Sequence, residues 1–308
     1  MTGYHVYYQT KDDGEFEAIN YLVQLASIKF WKKNYGSVKL YCNQRYLDSI
    51  SKYGLDEEYD EINTQFLETN PYKEYSNKFW SFCKIYLANK LAREETRFCI
   101  FDTDLWISEP NLISNETDFV FYHQEAIAEY DPFNVYPDPI NWIDDVNYNW
   151  NINPVNCAIV CFNSNFKELI TKWFEISSKI IEQTHSKQFN FVNEDCSTMF
   201  IEQRLLPVLI DDLNLTKSEI LKSVYQPHIG GDIDSNGIEW VPPLDSNIET
   251  AQIANAIKHS WGLKKYYDNK FTRTLVLDVV VNSLNQLGEF DARYEKLFAE
   301  CETIYNLD

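Results

Sequence analysis

Apolar and polar positions along this chain repeat with two periods, and the period changes where turn residues fall. HVYYQT (5–10) has the length and aromatic content of a strand. Phe16, Ile19, Leu22, Val23, Ala26 and Phe30 then recur at helical spacing, and Gly36 stands where that helix should stop. VKLYCN (38–43) reads as a second strand, RYLDSISKYG (45–54) as a short helix ending at Gly54, and YDEINTQF (59–66) as a short third strand. SNKFWSFCKIYLANKLA (76–92) predicts a strongly apolar helix, and RFCIFDTDLWI a central strand after it. The first 110 residues therefore alternate β-α-β-α-β-α-β, the pattern of a parallel sheet with helices on both faces.

DFVFYH (118–123) is a further strand. Residues 124–155 are polar and aromatic without clear periodicity, and a stretch of that length in a compact domain is usually functional. CAIVCFN (157–163) predicts an apolar strand, 165–183 a long helix, 193–210 another helix, 223–262 irregular structure, and 271–305 one or two helices. No repeat, low-complexity block or linker interrupts the chain, so 1–308 reads as a single domain.

The net charge of −20 and the absence of basic clusters beyond Lys32–Lys33 and Lys264–Lys265 argue against nucleic acid as a partner. No run approaches eighteen apolar residues, so no transmembrane segment is expected, and MTGYHVYYQTKDDGE lacks the marks of a signal peptide. The seven cysteines are odd in number, sit mostly in apolar runs and form no CxxC. They read as free buried thiols in a cytoplasmic protein.

One feature changes the picture. The apolar run CIF stops on Asp102-Thr103-Asp104. In a parallel α/β sheet, ligands gather at the carboxyl ends of strands. Residues two apart in an extended segment point to the same side, so both carboxylates can converge on one cation. Hard oxygen ligands suit Mg²⁺ or Mn²⁺, which commonly bridge protein carboxylates to a substrate's phosphates.

FDTDLWI resembles the D-x-D motif of the nucleotide-sugar-dependent glycosyltransferases of the GT-A fold, and the order of elements is similar over about residues 5–262. The resemblance implies a GT-A (Rossmann-like) α/β fold: a mostly parallel central sheet flanked by helices, with a C-terminal helical tail. It implies a nucleotide-binding half (1–110), a donor-sugar and acceptor half (111–265) and C-terminal helices (266–308). Asp102 and Asp104 would hold Mn²⁺ or Mg²⁺, with Asp102 also near the nucleotide. NCAIVCFN resembles a strand of retaining members whose Asn contacts the donor sugar, which maps onto Asn156. Glu194 and Asp195 resemble the family's third acidic motif, and so does Glu202 in Glu202-Gln203. An acidic residue at a helix start also simply favours the dipole, and the choice between the two positions stays open. IKHSWGLKK resembles a late H-x-x-G-x-x-K segment, giving His259 as a third metal ligand and Lys264 or Lys265 as a diphosphate contact. Tyr8, Gln9 and Thr10 fall where the base and ribose are held, and Lys84 at a position that reaches the nucleotide, or else on an ordinary surface.

These readings lead to a metal-dependent glycosyltransferase. It would use a nucleoside diphosphate sugar, with UDP preferred by resemblance, and a glycan, lipid-linked or protein acceptor. Trp142, Tyr148, Asn149, Trp150, Asn151 and Asn153 mix flat aromatic faces with amides, as a sugar site requires, or as a polar loop anchored by tryptophans would. The alternatives are a carbohydrate-binding or structural protein without turnover, and a nucleotidyltransferase. The latter usually has a glycine-rich basic loop after its first strand, where this chain has KDDGEFE.

Overall fold

The computed structural model describes residues 1–10, 18–76, 78–125, 148–186, 194–220, 224–225, 257–259, 270–288 and 294–303. The strands are β1 Gly3–Tyr7, β2 Val38–Cys42, β3 Glu61–Asn63, β4 Phe98–Phe101, β5 Leu105–Ile107, β6 Phe119–Glu125, β7 Val155–Phe162, β8 Lys217–Glu219, β9 Val224–Tyr225 and β10 Ile257–His259. The helices are α1 Ala18–Asn34, α2 Gln44–Ser51, α3 Phe82–Glu94, α4 Phe166–His185, α5 Glu194–Met199, α6 Leu205–Asp212, α7 Lys270–Leu287 and α8 Glu295–Thr303.

The main sheet runs β3-β2-β1-β4-β7-β6-β8, and β9 extends the β8 edge of β6. β1 pairs in parallel with β2 and β4, β2 with β3, and β6 with β8. β7 alone is reversed, pairing antiparallel with β4 on one side and β6 on the other. The sheet is thus mostly parallel and flanked by helices, and the chain closes with helices, as expected.

The alternation along the strands explains why helices cover both faces. Cys99 and Phe101 face the cluster built with α1, α7 and α8, while Phe98 and Ile100 face the cluster built with α3, α4 and α6. β7 divides likewise, with Ile159 and Cys161 on the first face and Val160 and Phe162 on the second. α1 is buried almost all round because the sheet lies under it and α7 and α8 lie over it. Gly3 is required where β1 passes α1: a Cβ there would stand 2.4 Å from the Trp31 ring, which stacks on Phe101 at 4.3 Å.

Three local expectations are corrected. The helix predicted from residue 76 begins at Phe82, after Ser81 at its N-cap, and a separate 3₁₀ turn occupies Lys73–Tyr75 ahead of it. The helix predicted over 193–210 is continuous in direction but carries a π segment, Phe200–Arg204. Cys99 and Cys161 face each other across β4 and β7 and are joined as a disulfide, whereas Cys42, Cys83, Cys157 and Cys301 are free and buried as expected. Adjacent antiparallel strands bring two Cys side chains directly opposite, a proximity that sequence spacing does not reveal. Among the described residues, no helix is long and apolar enough to cross a membrane.

Candidate active site

Because β7 is reversed, its amino end lies along the same sheet edge as the carboxyl ends of β1, β2, β4 and β6. Gln9, Asn43, Asp102, Glu125 and Asn156 therefore share one edge.

Asp102 follows β4, and its backbone N–H donates to Ala158 O of β7 at 2.8 Å. The Leu105 N–H returns to Asp102 O at 3.2 Å, so Asp102-Thr103-Asp104 is a tight turn that breaks the single strand expected here into β4 and β5, and not the extended segment that would point both carboxylates to one side. Asp102 keeps 32% of its side chain exposed, while Asp104 is buried at 6%. The Asp104 charge reaches inward. It adds to the effect of burial in raising the Tyr122 hydroxyl pKa, and it opposes, without overcoming, the burial that pushes His5 down to about 3.

Lys84 projects from the first turn of α3 into the protein and is 4% exposed. Its Nζ lies 3.0 Å from Asp102, donates to Cys157 O at 2.7 Å and forms an ion pair with Glu202. Burial pulls its pKa down, but Asp102 and Glu202 together outweigh it and raise the pKa well above the ordinary lysine range. Glu202 is 2% exposed. Burial raises its pKa, Lys84 lowers it, and the nearby charges of Asp102 and Glu125 raise it further.

The π segment places Glu202 there. In a π turn a backbone bond reaches five residues, and one is made from Leu205 N–H to Phe200 O. Carbonyls in and beside the widened turn take side-chain donors. Ile201 O accepts from the Trp173 indole at 2.6 Å, and Glu202 O lies 3.6 Å from the Cys157 thiol. The start of α3 is tied to α5 by Ser81 and Thr198, whose side chains and backbone are linked by bonds of 2.6–3.1 Å.

Asn156 is held at both ends of its amide. Its Oδ1 accepts from Ala158 N–H at 2.9 Å, and its Nδ2 donates to Glu125 Oε1 at 3.1 Å. Glu125, 3% exposed, is a carboxylate of this edge that the sequence reading missed; its signal is an acid closing the apolar strand FVFYHQE. At the other end of the edge, Gln9 is buried. Its backbone exchanges two bonds with the Asn43 side chain, at 3.1 and 2.7 Å, and its Oε1 accepts from Ser49. Asn43 also caps α2 by accepting from Tyr46 N–H. Tyr8 and Thr10 are half-buried beside Gln9.

β10 pairs antiparallel with β5, and the register sets His259 opposite Leu105, the residue after Asp104. Glu194 and Asp195 open α5, but their side chains, like Lys264 and Lys265, lie outside the described residues. Among the described residues no three metal-ligating side chains converge. Trp150 packs flat on Phe200 at 5.6 Å with the Arg204 guanidinium over it, so this tryptophan anchors the end of the 124–155 segment. Trp142 lies outside the described residues.

No family model matches the chain, and no curated protein does. Among solved structures it is similar to the galactosyltransferase LgtC, solved with donor and acceptor sugar analogues, at 8% identity and a TM-score of 0.44, over 97% of this chain and 100% of that one. It is similar to the bifunctional glycosyltransferase WbbM at 11% identity and 0.43, over 97% of this chain and 51% of that one. It is similar to mouse xyloside xylosyltransferase 1 at 10% identity and 0.36, over 67% and 82%. At such identities no site residue transfers from any of them.

Proposed function

We propose that the chain is a metal-dependent glycosyltransferase that moves a monosaccharide from a nucleoside diphosphate sugar to a hydroxyl acceptor. The observation behind this reading is the pair Asp102 and Asp104 in the turn that follows β4, on an edge that also carries Glu125 and where Lys84 pairs with Asp102 and Glu202. Such an excess of acid favours a further cation. The oxygen donors suit Mn²⁺ or Mg²⁺. Asp104 would bind the ion directly, Asp102 more loosely, and His259 would add a third donor. A bound ion would neutralise charge on the departing diphosphate.

The chain's own residues would do the rest. Tyr8, Gln9 and Thr10 would hold the nucleoside, with uridine the base expected, and Lys264 or Lys265 would meet the phosphates. Lys84 would fix the orientation of Asp102. Asn156 and Glu202 would line the donor-sugar side, with Glu125 orienting the Asn156 amide. The acceptor would be a glycan, a lipid-linked sugar or a protein.

Release of nucleoside diphosphate from a panel of nucleotide sugars tests the reading. One donor should give release that chelator and Asp104→Asn abolish. Release that persists in chelator would remove the metal role, and no release from any donor would remove the activity.

One observation favours a second reading, a carbohydrate-binding protein without turnover. Lys84 is engaged by Asp102, Glu202 and Cys157 O, and the Asn156 amide by Glu125 and its own strand. Thermal stabilisation by UDP with Mn²⁺, but no release, would select it.

A further inference from the structure

β5 carries the turn that follows Asp104, yet it stands outside the main sheet and pairs only with β10 among the described residues. Side chains of α1 hold its other edge. Ser27 Oγ donates to Leu105 O at 2.5 Å, and Asn34 Nδ2 to Ile107 O at 2.9 Å. Ser27 and Asn34 are seven residues apart, two turns along one helix face, and the carbonyls they take are two apart along one strand edge.

Behind Ser27 runs a buried polar chain. His5 Nε2 lies 3.1 Å from Ser27 Oγ, and His5 Nδ1 lies 2.8 Å from Tyr59 Oη. Gln24 Nε2 donates to Tyr59 Oη at 2.5 Å, and Tyr46 Oη donates to Gln24 Oε1 at 2.9 Å. Tyr46 in turn packs on Tyr7, at the end of β1 beside Tyr8 and Gln9, with ring centroids 4.6 Å apart.

The proton order follows from the carbonyl end. A carbonyl can only accept, so the single Ser27 proton goes to Leu105 O. Ser27 must then accept from His5, which places the His5 proton on Nε2. Nδ1 is left as an acceptor for the Tyr59 hydroxyl, whose oxygen is free to accept from Gln24. Each bond of the chain then has one donor and one acceptor. The opposite tautomer would turn Ser27 toward His5 and leave the buried Leu105 carbonyl without this donor, a costly state. Burial keeps the His5 ring neutral, as the arrangement requires.

We propose that His5 and Ser27 are positioning residues for the Asp102–Asp104 turn: the Nε2–H tautomer of His5 orients the Ser27 hydroxyl, and that hydroxyl fixes β5, and with it Asp104, for cation binding. The inference rests on the functional reading above for its ligand, and on β5 geometry alone for its proton order.

The test has two arms. In ¹⁵N-labelled protein, long-range ¹H–¹⁵N spectra, with the His5 signals identified by their loss in His5→Asn, should show the neutral Nε2–H tautomer from about pH 5 to 8. A neutral Nδ1–H tautomer, or a His5 that charges in that range, would overturn the proposal. In the second arm, Mn²⁺ uptake in the presence of UDP is read from the free-ion electron paramagnetic resonance signal. Ser27→Ala should weaken uptake tenfold or more, and Ser27→Thr, which keeps the hydroxyl, should restore most of it. Unchanged uptake by Ser27→Ala would overturn the positioning role. Wild-type protein that takes up no Mn²⁺ would fail the functional reading instead, and the tautomer would still decide the proton order.

Discussion

Lys84 Nζ lies 3.0 Å from Asp102 and also pairs with Glu202, so one buried ammonium joins the turn after β4 to the π segment between α5 and α6. Two acids from distant parts of the chain are held at the same point by a single positive charge. Its removal leaves Glu202 buried beside Asp102 with no compensation.

Lys84→Met should therefore cost about 3–5 kcal/mol, the usual consequence of breaking a buried pair from one side. Adding Glu202→Leu should recover much of that loss, because an apolar pair of similar volume needs no charge balance. Urea denaturation of both variants checks this. A Lys84→Met protein as stable as wild type would mean that the ammonium is not buried as described.

The Glu202 pKa is raised by burial, so the sign of its pH effect is fixed. Its stabilising contribution is complete below the pKa of an unfolded glutamate, about 4.3, and is lost as pH climbs through the higher folded value. Glu202→Gln should flatten that fall on the neutral side. Unfolding free energies of the two proteins from about pH 4 to 8 measure it, and parallel profiles would contradict it.

Asp118 behaves in the opposite way. Ser164 Oγ and Asn165 Nδ2 donate to its Oδ1 at 2.5 and 2.8 Å, and the Thr216 N–H and hydroxyl donate to its Oδ2 at 3.0 and 2.8 Å. These bonds, with Ser164 first, hold its pKa down to about 2, so the stability it lends is present above the pKa of an unfolded aspartate and lost as acid takes the pH toward 2. Asp118→Ala should cost about 1.5–3 kcal/mol at neutral pH and much less in acid. Thermal melts at both ends of that range test the difference.

The C-terminal helices are part of the core and not an appendage. Leu297 is fully buried with Val280 and Leu284 against α1, and the Tyr294 hydroxyl bonds the buried carboxylate of Glu58. Leu297→Ala should cost about 2–5 kcal/mol. A change below 1 kcal/mol in chemical denaturation would show that α8 contributes little to the fold.

The unbroken apolar runs FCIF and CAIVCF revealed two strands buried on both faces, and Phe101-Asp102 marked the sheet edge where the polar residues gather. The direction of β7 was not legible, because the side-chain period of a strand is the same whichever way it runs. That missing sign also hid Asn156's place opposite His123 on β6, and with it the contact to Glu125. Lys84 reads as a surface lysine in isolation. Only the packing of α3 against β7 and the π segment takes it inside. The π segment itself has no sequence mark here, since FIEQR has ordinary helical composition.

The reversed strand also sets an order of events during synthesis. β7 fills the gap between β4 and β6 but follows both in the chain. A nascent chain that has emerged only to residue 150 can assemble β3, β2, β1 and β4, with the apolar edge of β4 bare and β6 without its neighbour. Such an edge is a template for pairing with other chains. Between emergence of Phe101 and of Phe162 that edge of β4 stands without its partner. A stalled or truncated product ending there should aggregate where the finished chain does not.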